Sequence, residues 1–231
     1  MKESKPYEYR TLLSAEEYKP ESTLNAFSNC RLIQRQFEKA ATAGFNYSLR
    51  KHTLSVLDVF ETYFSSVFEL GQRNCMRMLL ALHDIGKPMA IQRGDKTLQH
   101  RFTIRIINRL PDRWVGSSQR NWLCTLLADD YLGDFLKGNY TEEQCLLRLR
   151  AAHAQSGADK AVFFNHFSVY YQCDVDGYTL LGDLTCALDC LFQWNEALSA
   201  PVFDNTVRLF RFSPPIQSKF ELIRKEFLNH A

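Results

Sequence analysis

Apolar positions recur along this chain at steps of three and four residues, the period of a helix with one buried face. From Ser22, the positions Leu24, Phe27, Leu32, Ile33 and Phe37 keep that step, and Gly44 follows as a stop, which predicts a first helix. Ser48 to Leu70 continues the pattern through Leu49, His52, Val56, Val59, Phe60, Tyr63, Phe64 and Val67, with Gly71 closing it. Arg73 to His83 carries it through Met76, Leu79, Leu80 and Leu82. Gly86 and Pro88 break the pattern just after His83 and Asp84, so Pro88 to Thr97 reads as a loop. Further helices are predicted at about 98–110, 117–137, 141–155 and 159–173, the third with Thr141 as its N-cap and Glu142 and Glu143 in its first turn.

Tyr178 to Trp194 is expected to form another helix, residues 202–212 to be extended, and Pro214 to Leu228 to close the chain as an amphipathic helix. Strand-like alternation is weak throughout, and no repeat or heptad seam is present. The expected fold is therefore all-α: a helical domain over residues 22–200, an irregular leader over 1–21, and a C-terminal extension over 201–231 that ends in a helix.

Composition narrows the class. Of 231 residues, 45% are hydrophobic and 13% aromatic, enough to build a buried interior instead of a disordered chain. Lys and Arg number 28 against 26 Asp and Glu, a formal net charge of +2, so nothing demands a nucleic-acid backbone as partner. The seven cysteines include no CxxC pair, which fits free thiols in a reducing compartment and argues against a cysteine zinc site. The N-terminal segment has no signal-peptide core, and no stretch reaches about 18 uninterrupted apolar residues, so a cytoplasmic protein without a membrane partner is expected.

The chemistry concentrates in Leu79-Leu80-Ala81-Leu82-His83-Asp84-Ile85-Gly86-Lys87-Pro88. An adjacent imidazole and carboxylate at a helix end can turn toward one ion, and this donor set suits Mn²⁺, Fe²⁺, Co²⁺, Ni²⁺ or Zn²⁺ better than Ca²⁺. With His52 on an earlier helix, the segment resembles the HD-domain metal-dependent phosphohydrolase superfamily over roughly residues 45–190. The resemblance implies an HD-type helical bundle in which His52, His83, Asp84 and a distal aspartate hold one divalent ion, with Mg²⁺ added to the candidates. It also implies that Lys87, the lysine after the pair, contacts substrate and assists catalysis.

The segment Phe167 to Tyr178 resembles the superfamily's last helix, in which an apolar face ends at the aspartate that completes the site; the resemblance implies Asp174, which directly follows the helical run ending at Cys173, whereas Asp176 lies two residues on and points elsewhere. The segment around His100 is similar to the HD domains attached to tRNA nucleotidyltransferases, in which a histidine opens the next helix. That similarity implies a substrate-binding or catalytic His100, or a ligand to a second metal. Arg101, Arg105, Arg109 and Arg113 recur at four-residue steps on one helical side, so Arg101 is a candidate phosphate contact beside the alternative of a solvated face. Many relatives carry further histidines about thirty residues later, where this chain has Asp129 and Asp130. The departure favours a one-metal centre; it leaves Asp130 as a candidate substrate contact, and Asp129 or Asp130 as alternatives to Asp174 for completing the site. His153 and His166 match no ligand position, and His230 belongs to the tail.

The resemblance implies hydrolysis of a phosphomonoester or phosphodiester in a nucleotide or at a nucleic-acid end, through a metal-activated water. Asp84 orients that water or accepts its proton, while Lys87 and His100 offset phosphate charge or protonate the leaving oxygen. Two other readings compete: a non-catalytic HD-fold module for ligand binding or protein contact, with a homodimer among its forms, and di-iron oxygenase chemistry, which needs more histidines than these positions supply.

Overall fold

Leu24, Phe27, Ile33 and Phe37 are all fully buried, but on two helices instead of the single one expected from Ser22. In the computed structural model, α1 (Pro20–Ser28) stops where Cys30 turns extended, at φ −83° and ψ 108°, and α2 (Arg31–Phe37) restarts directly after it. The Ser28 hydroxyl donates 2.8 Å to the Leu24 carbonyl, a local bond that competes with the helix ladder at that end. The structure describes residues 13–14, 17–41, 47–112, 114–179, 189–204, 206 and 208–229, so the expected stop at Gly44 lies outside the described residues. The chain is mostly helical and divides into two compact units, residues 1–128 and 129–231.

In the first unit, α3 (Leu49–Val59) begins where the Ser48 hydroxyl accepts from the Lys51 amide. The helix widens into a π-turn at Phe60–Phe64, then tightens at Ser65–Val67. Gly71 does not end it: α4 (Leu70–Leu82) starts one residue earlier and carries Gly71 in its first turn. Pro88 likewise opens a helix where a loop was expected, because a proline in the first turn forfeits only an amide with no intrahelical partner. That helix, α5 (Lys87–Arg93), ends at Gly94, whose φ of 70° suits glycine. A short 3-10 turn at Lys96–Leu98 leads into α6 (Gln99–Ile107), and α7 (Ser117–Leu126) follows.

Arg77 on α4 ties part of the leader into this unit. Its guanidinium is buried, forks onto both oxygens of Glu61 at 2.8 Å each, stacks 3.7 Å from the Tyr18 ring centroid, and donates to the Leu13 carbonyl. Burial holds the Tyr18 hydroxyl well above the ordinary tyrosine range.

The second unit contains α8 (Tyr131–Leu136), α9 (Glu142–Ser156), α10 (Lys160–Thr179) and α11 (Pro214–Asn229). Two small antiparallel pairs separate the last two helices: β1 (Trp194–Asn195) with β2 (Ala200–Pro201), and β3 (Phe203–Asp204) with β4 (Leu209–Phe210). The helix expected over 117–137 is thus interrupted at Asp129 and Asp130, and Thr141 caps α9 in a reciprocal box with Gln144. The helix expected from Tyr178 to Trp194 does not reach Trp194, which pairs in a strand; residues 180–188 lie outside the described residues. Phe163, Phe164, Phe220 and Phe227 form the aromatic core of this unit, with ring centroids of neighbours 5.6–6.0 Å apart.

Among the described residues, no helix is long and apolar enough to cross a membrane. Cys30, Cys75, Cys124, Cys145, Cys173 and Cys190 are free thiols, and Cys186 lies outside the described residues.

Candidate metal centre

The apolar run Leu79-Leu80-Ala81-Leu82 is buried and fixes the last turn of α4 in the interior of the first unit. The chain then leaves the helix at His83 and re-enters one at Lys87, so His83 and Asp84 project from a four-residue turn. That turn is locked from the side by Thr103 of α6, whose buried hydroxyl accepts from the Gly86 amide at 3.1 Å and donates to the His83 carbonyl at 3.4 Å. A methyl group on Gly86 would lie 2.2 Å from the Thr103 nitrogen and 2.6 Å from the Gln99 carbonyl oxygen. Gly86 has an ordinary φ of −88°, so glycine is required here for room alone.

His52 arrives from α3 with no exposed surface, while His83 and Asp84 are 1% and 2% exposed. The His83 Nδ1 lies 2.6 Å from the Leu80 carbonyl oxygen, which can only accept, so Nδ1 carries a proton and Nε2 faces inward. That Nε2 is 3.3 Å from the Nε2 of His52, with the two rings tilted by 59°. Both nitrogens look toward the Asp84 Oδ2, at 3.6 Å from His52 and 3.7 Å from His83.

These three spacings fit a divalent ion. A point in the plane of the three atoms and equidistant from them lies about 2 Å from each, which is the length of a bond from a transition metal to imidazole nitrogen or carboxylate oxygen. Two borderline nitrogens and one hard oxygen form a donor set for Mn²⁺, Fe²⁺, Co²⁺, Ni²⁺ or Zn²⁺. Buried as they are, the three make a group that could hold a metal ion.

Each carboxylate oxygen of Asp84 accepts from a side chain outside the triangle. Lys87 Nζ is 2.6 Å from Oδ2, and the Gln99 side-chain amide donates to Oδ1 at 2.7 Å. Lys87 thus sits beside Asp84. Gln99 and Thr103 were missed from the sequence. Their only signal there is a polar residue at the start and another one turn into an amphipathic helix, a pattern that most solvated helices share.

His100 takes a neighbouring position: its ring Nδ1 donates 3.1 Å to the Leu127 carbonyl, one of the groups that α7 leaves without a helical partner at its end. The α6 residue that touches Asp84 is Gln99. Arg101 lies two residues beyond Gln99, roughly 200° around the helix, and is exposed together with Arg105 and Arg109. Arg113 lies outside the described residues.

In the second unit, Asp129 and Asp130 sit in a break in the chain instead of on a continuous apolar helix, and each has a local task. The Asp129 carboxylate accepts from the Tyr140 hydroxyl at 3.0 and 3.1 Å and pairs with Arg148 at 2.6 Å. Asp130 caps α8 by accepting from the Gly133 amide at 3.1 Å, and its other oxygen pairs with Lys137 at 3.1 Å. Burial pushes the Asp130 carboxyl above its ordinary range, the Lys137 ammonium opposes this, and Asp174 and Asp134 add to the rise.

Asp174 is half-buried on α10, which continues past it to Thr179, so the helix does not end at Asp174 as expected. Asp176 is fully buried on the same helix. His153 donates to the Ala158 carbonyl and packs edge-on against Phe163 and Phe227, and buried His166 bonds the Val162 carbonyl through Nδ1. His230 lies outside the described residues. Comparisons of the chain with protein-family models, with curated proteins and with solved structures find no match.

Proposed function

We propose that this chain is a metal-dependent phosphohydrolase with an HD-type helical bundle, in which His52, His83, Asp84 and Asp174 hold one divalent ion. The observation that carries the reading is the triangle of His52 Nε2, His83 Nε2 and Asp84 Oδ2, with sides of 3.3, 3.6 and 3.7 Å. The assignment of Asp174 as the fourth ligand follows from its place in the sequence motif. The substrate class we assign is a phosphorylated small molecule, foremost a nucleotide, or a nucleic-acid end, acted on in the cytoplasm.

A divalent ion in such a site supplies a water acidified toward neutrality and a Lewis acid for a phosphoryl oxygen. The residues of the chain prepare that chemistry. His83, with Nδ1 donating to Leu80, is oriented so that Nε2 is the atom presented to an ion. Lys87 and Gln99 both donate to Asp84 and so fix the orientation of its carboxylate beside the histidines, from where it can accept a proton from an attacking water. Lys87 keeps an ammonium 17% exposed at the edge of the buried cluster, where it can offset charge on a phosphate oxygen. His100 has its Nδ1 occupied by Leu127, which leaves Nε2 as the atom available to substrate.

Purified chain is expected to carry about one equivalent of transition metal and to hydrolyse a generic phosphoester or one member of a nucleotide panel. Metal-loaded protein that hydrolyses nothing across the panel would overturn the enzymatic reading in favour of a ligand-binding module.

A further inference from the structure

We propose that Gln99 sets the metal selectivity of this centre by keeping Asp84 a one-oxygen ligand. The inference rests on the proposed metal centre and concerns which ion it accepts. A carboxylate can bind through one oxygen or chelate through both. Ca²⁺, which collects about six to eight oxygens at long distances, gains much from chelation, whereas smaller ions such as Mn²⁺ and Zn²⁺ are satisfied by a single short contact beside imidazole nitrogens.

In this chain the two oxygens of Asp84 are not equivalent. Oδ2 faces the two imidazoles, at 3.6 and 3.7 Å. Oδ1 is turned away from them and accepts from the Gln99 amide at 2.7 Å, so bringing it round to an ion costs a hydrogen bond to a carboxylate that is itself only 2% exposed. Gln99 is itself held in place: it is the first residue of α6, and the same helix is pinned to the metal-binding turn by Thr103 and by the close approach of Gly86. Lys87 donates to Oδ2, the oxygen that already faces the imidazoles, so it does not hold the other oxygen away from the ion. Gln99 is therefore a positioning residue acting through Asp84, and its effect is read in the ratio of affinities for two ions.

The test is calorimetric titration of the metal-free full chain with Mn²⁺ alone and with Ca²⁺ alone, for the unaltered protein, Gln99→Met and Gln99→Asn. Methionine fills the space without a donor, and asparagine keeps the amide but falls short of Oδ1. The unaltered chain is expected to bind one Mn²⁺ at least about a hundredfold more tightly than Ca²⁺, and both variants to lose about tenfold of that preference, the value of one hydrogen bond to a charged group. A merely structural role would weaken both ions equally and leave the ratio unchanged. An unchanged ratio in either folded variant overturns the inference and leaves the metal centre standing. So does an unaltered chain that binds Ca²⁺ as tightly as Mn²⁺, a result that needs no variant to fold. Failure of the unaltered chain to bind Mn²⁺ at all overturns the metal centre together with the inference.

Discussion

Gly86 and Thr103 are in such close contact that a single added methyl on Gly86 would fall 2.2 Å from the Thr103 nitrogen. The obstacle is backbone, which cannot rotate aside as a side chain would. Gly86→Ala is expected to destabilise the protein by about 1–3 kcal/mol and to reduce metal content, because α6 must retreat from the turn that carries His83 and Asp84. Urea unfolding and elemental analysis on the same preparation check both parts; a stable variant with full metal content would show that the helix has room to give.

His83→Ala and Asp84→Asn each remove one corner of the triangle. Metal affinity is expected to fall by about a hundredfold or more in each, roughly 2.7 kcal/mol, with phosphoester hydrolysis lost alongside. Equilibrium dialysis against Mn²⁺ measures the first effect independently of the second. Unaltered metal content in both variants would remove the centre from its assigned residues.

Asp174, Asp176, Asp129 and Asp130 are separable by the same dialysis. Asp174→Ala is expected to lower metal affinity. Asp129→Asn and Asp130→Asn should leave it unchanged, since Tyr140, Arg148, the Gly133 amide and Lys137 already engage those carboxylates. The Asp129 substitution is expected to cost only about 1 kcal/mol or less of stability, because Arg148 is half exposed. Metal loss on changing Asp129 or Asp130 with none on changing Asp174 would transfer the fourth ligand to the chain break.

His166 supplies a pH dependence whose sign is fixed. Burial lowers its pKa below the ordinary 6.5, so on acidification the unfolded chain takes up the proton before the folded one does. The stability that comes from burying the neutral ring is complete above about pH 6.5 and declines as the pH falls toward the lowered folded value. Unfolding free energies measured at about pH 7.5 and 5.5 should therefore drop more for the unaltered protein than for His166→Leu. Equal drops would mean that His166 does not contribute.

How much of this could be read from the sequence depended on how local the cause was. The His83-Asp84-Ile85-Gly86-Lys87 string was legible because one short segment carries the helix end, the candidate ligands and the close-packed glycine. The breaks at Cys30 and at Asp129–Asp130 were not, because hydrophobic spacing runs through them unchanged while capping and side-chain bonds decide them. Pro88 was misread because a proline reads as a breaker until its place in the first turn is known. Gln99 is fifteen residues from Asp84, and only the return of α6 brings its amide to that carboxylate, a relation that period and composition do not encode.

Arg77 makes Leu13 and Tyr18 internal partners of the first unit. Trimming the protein past Tyr18 would strip this guanidinium of the ring above it and of the Leu13 oxygen, leaving Glu61 to counter a charge that has almost no water around it. Glu61 belongs to the widened turn that prolongs the helix carrying His52, so shortening the N-terminus to aid expression would disturb the far end of a helix that reaches this candidate ligand.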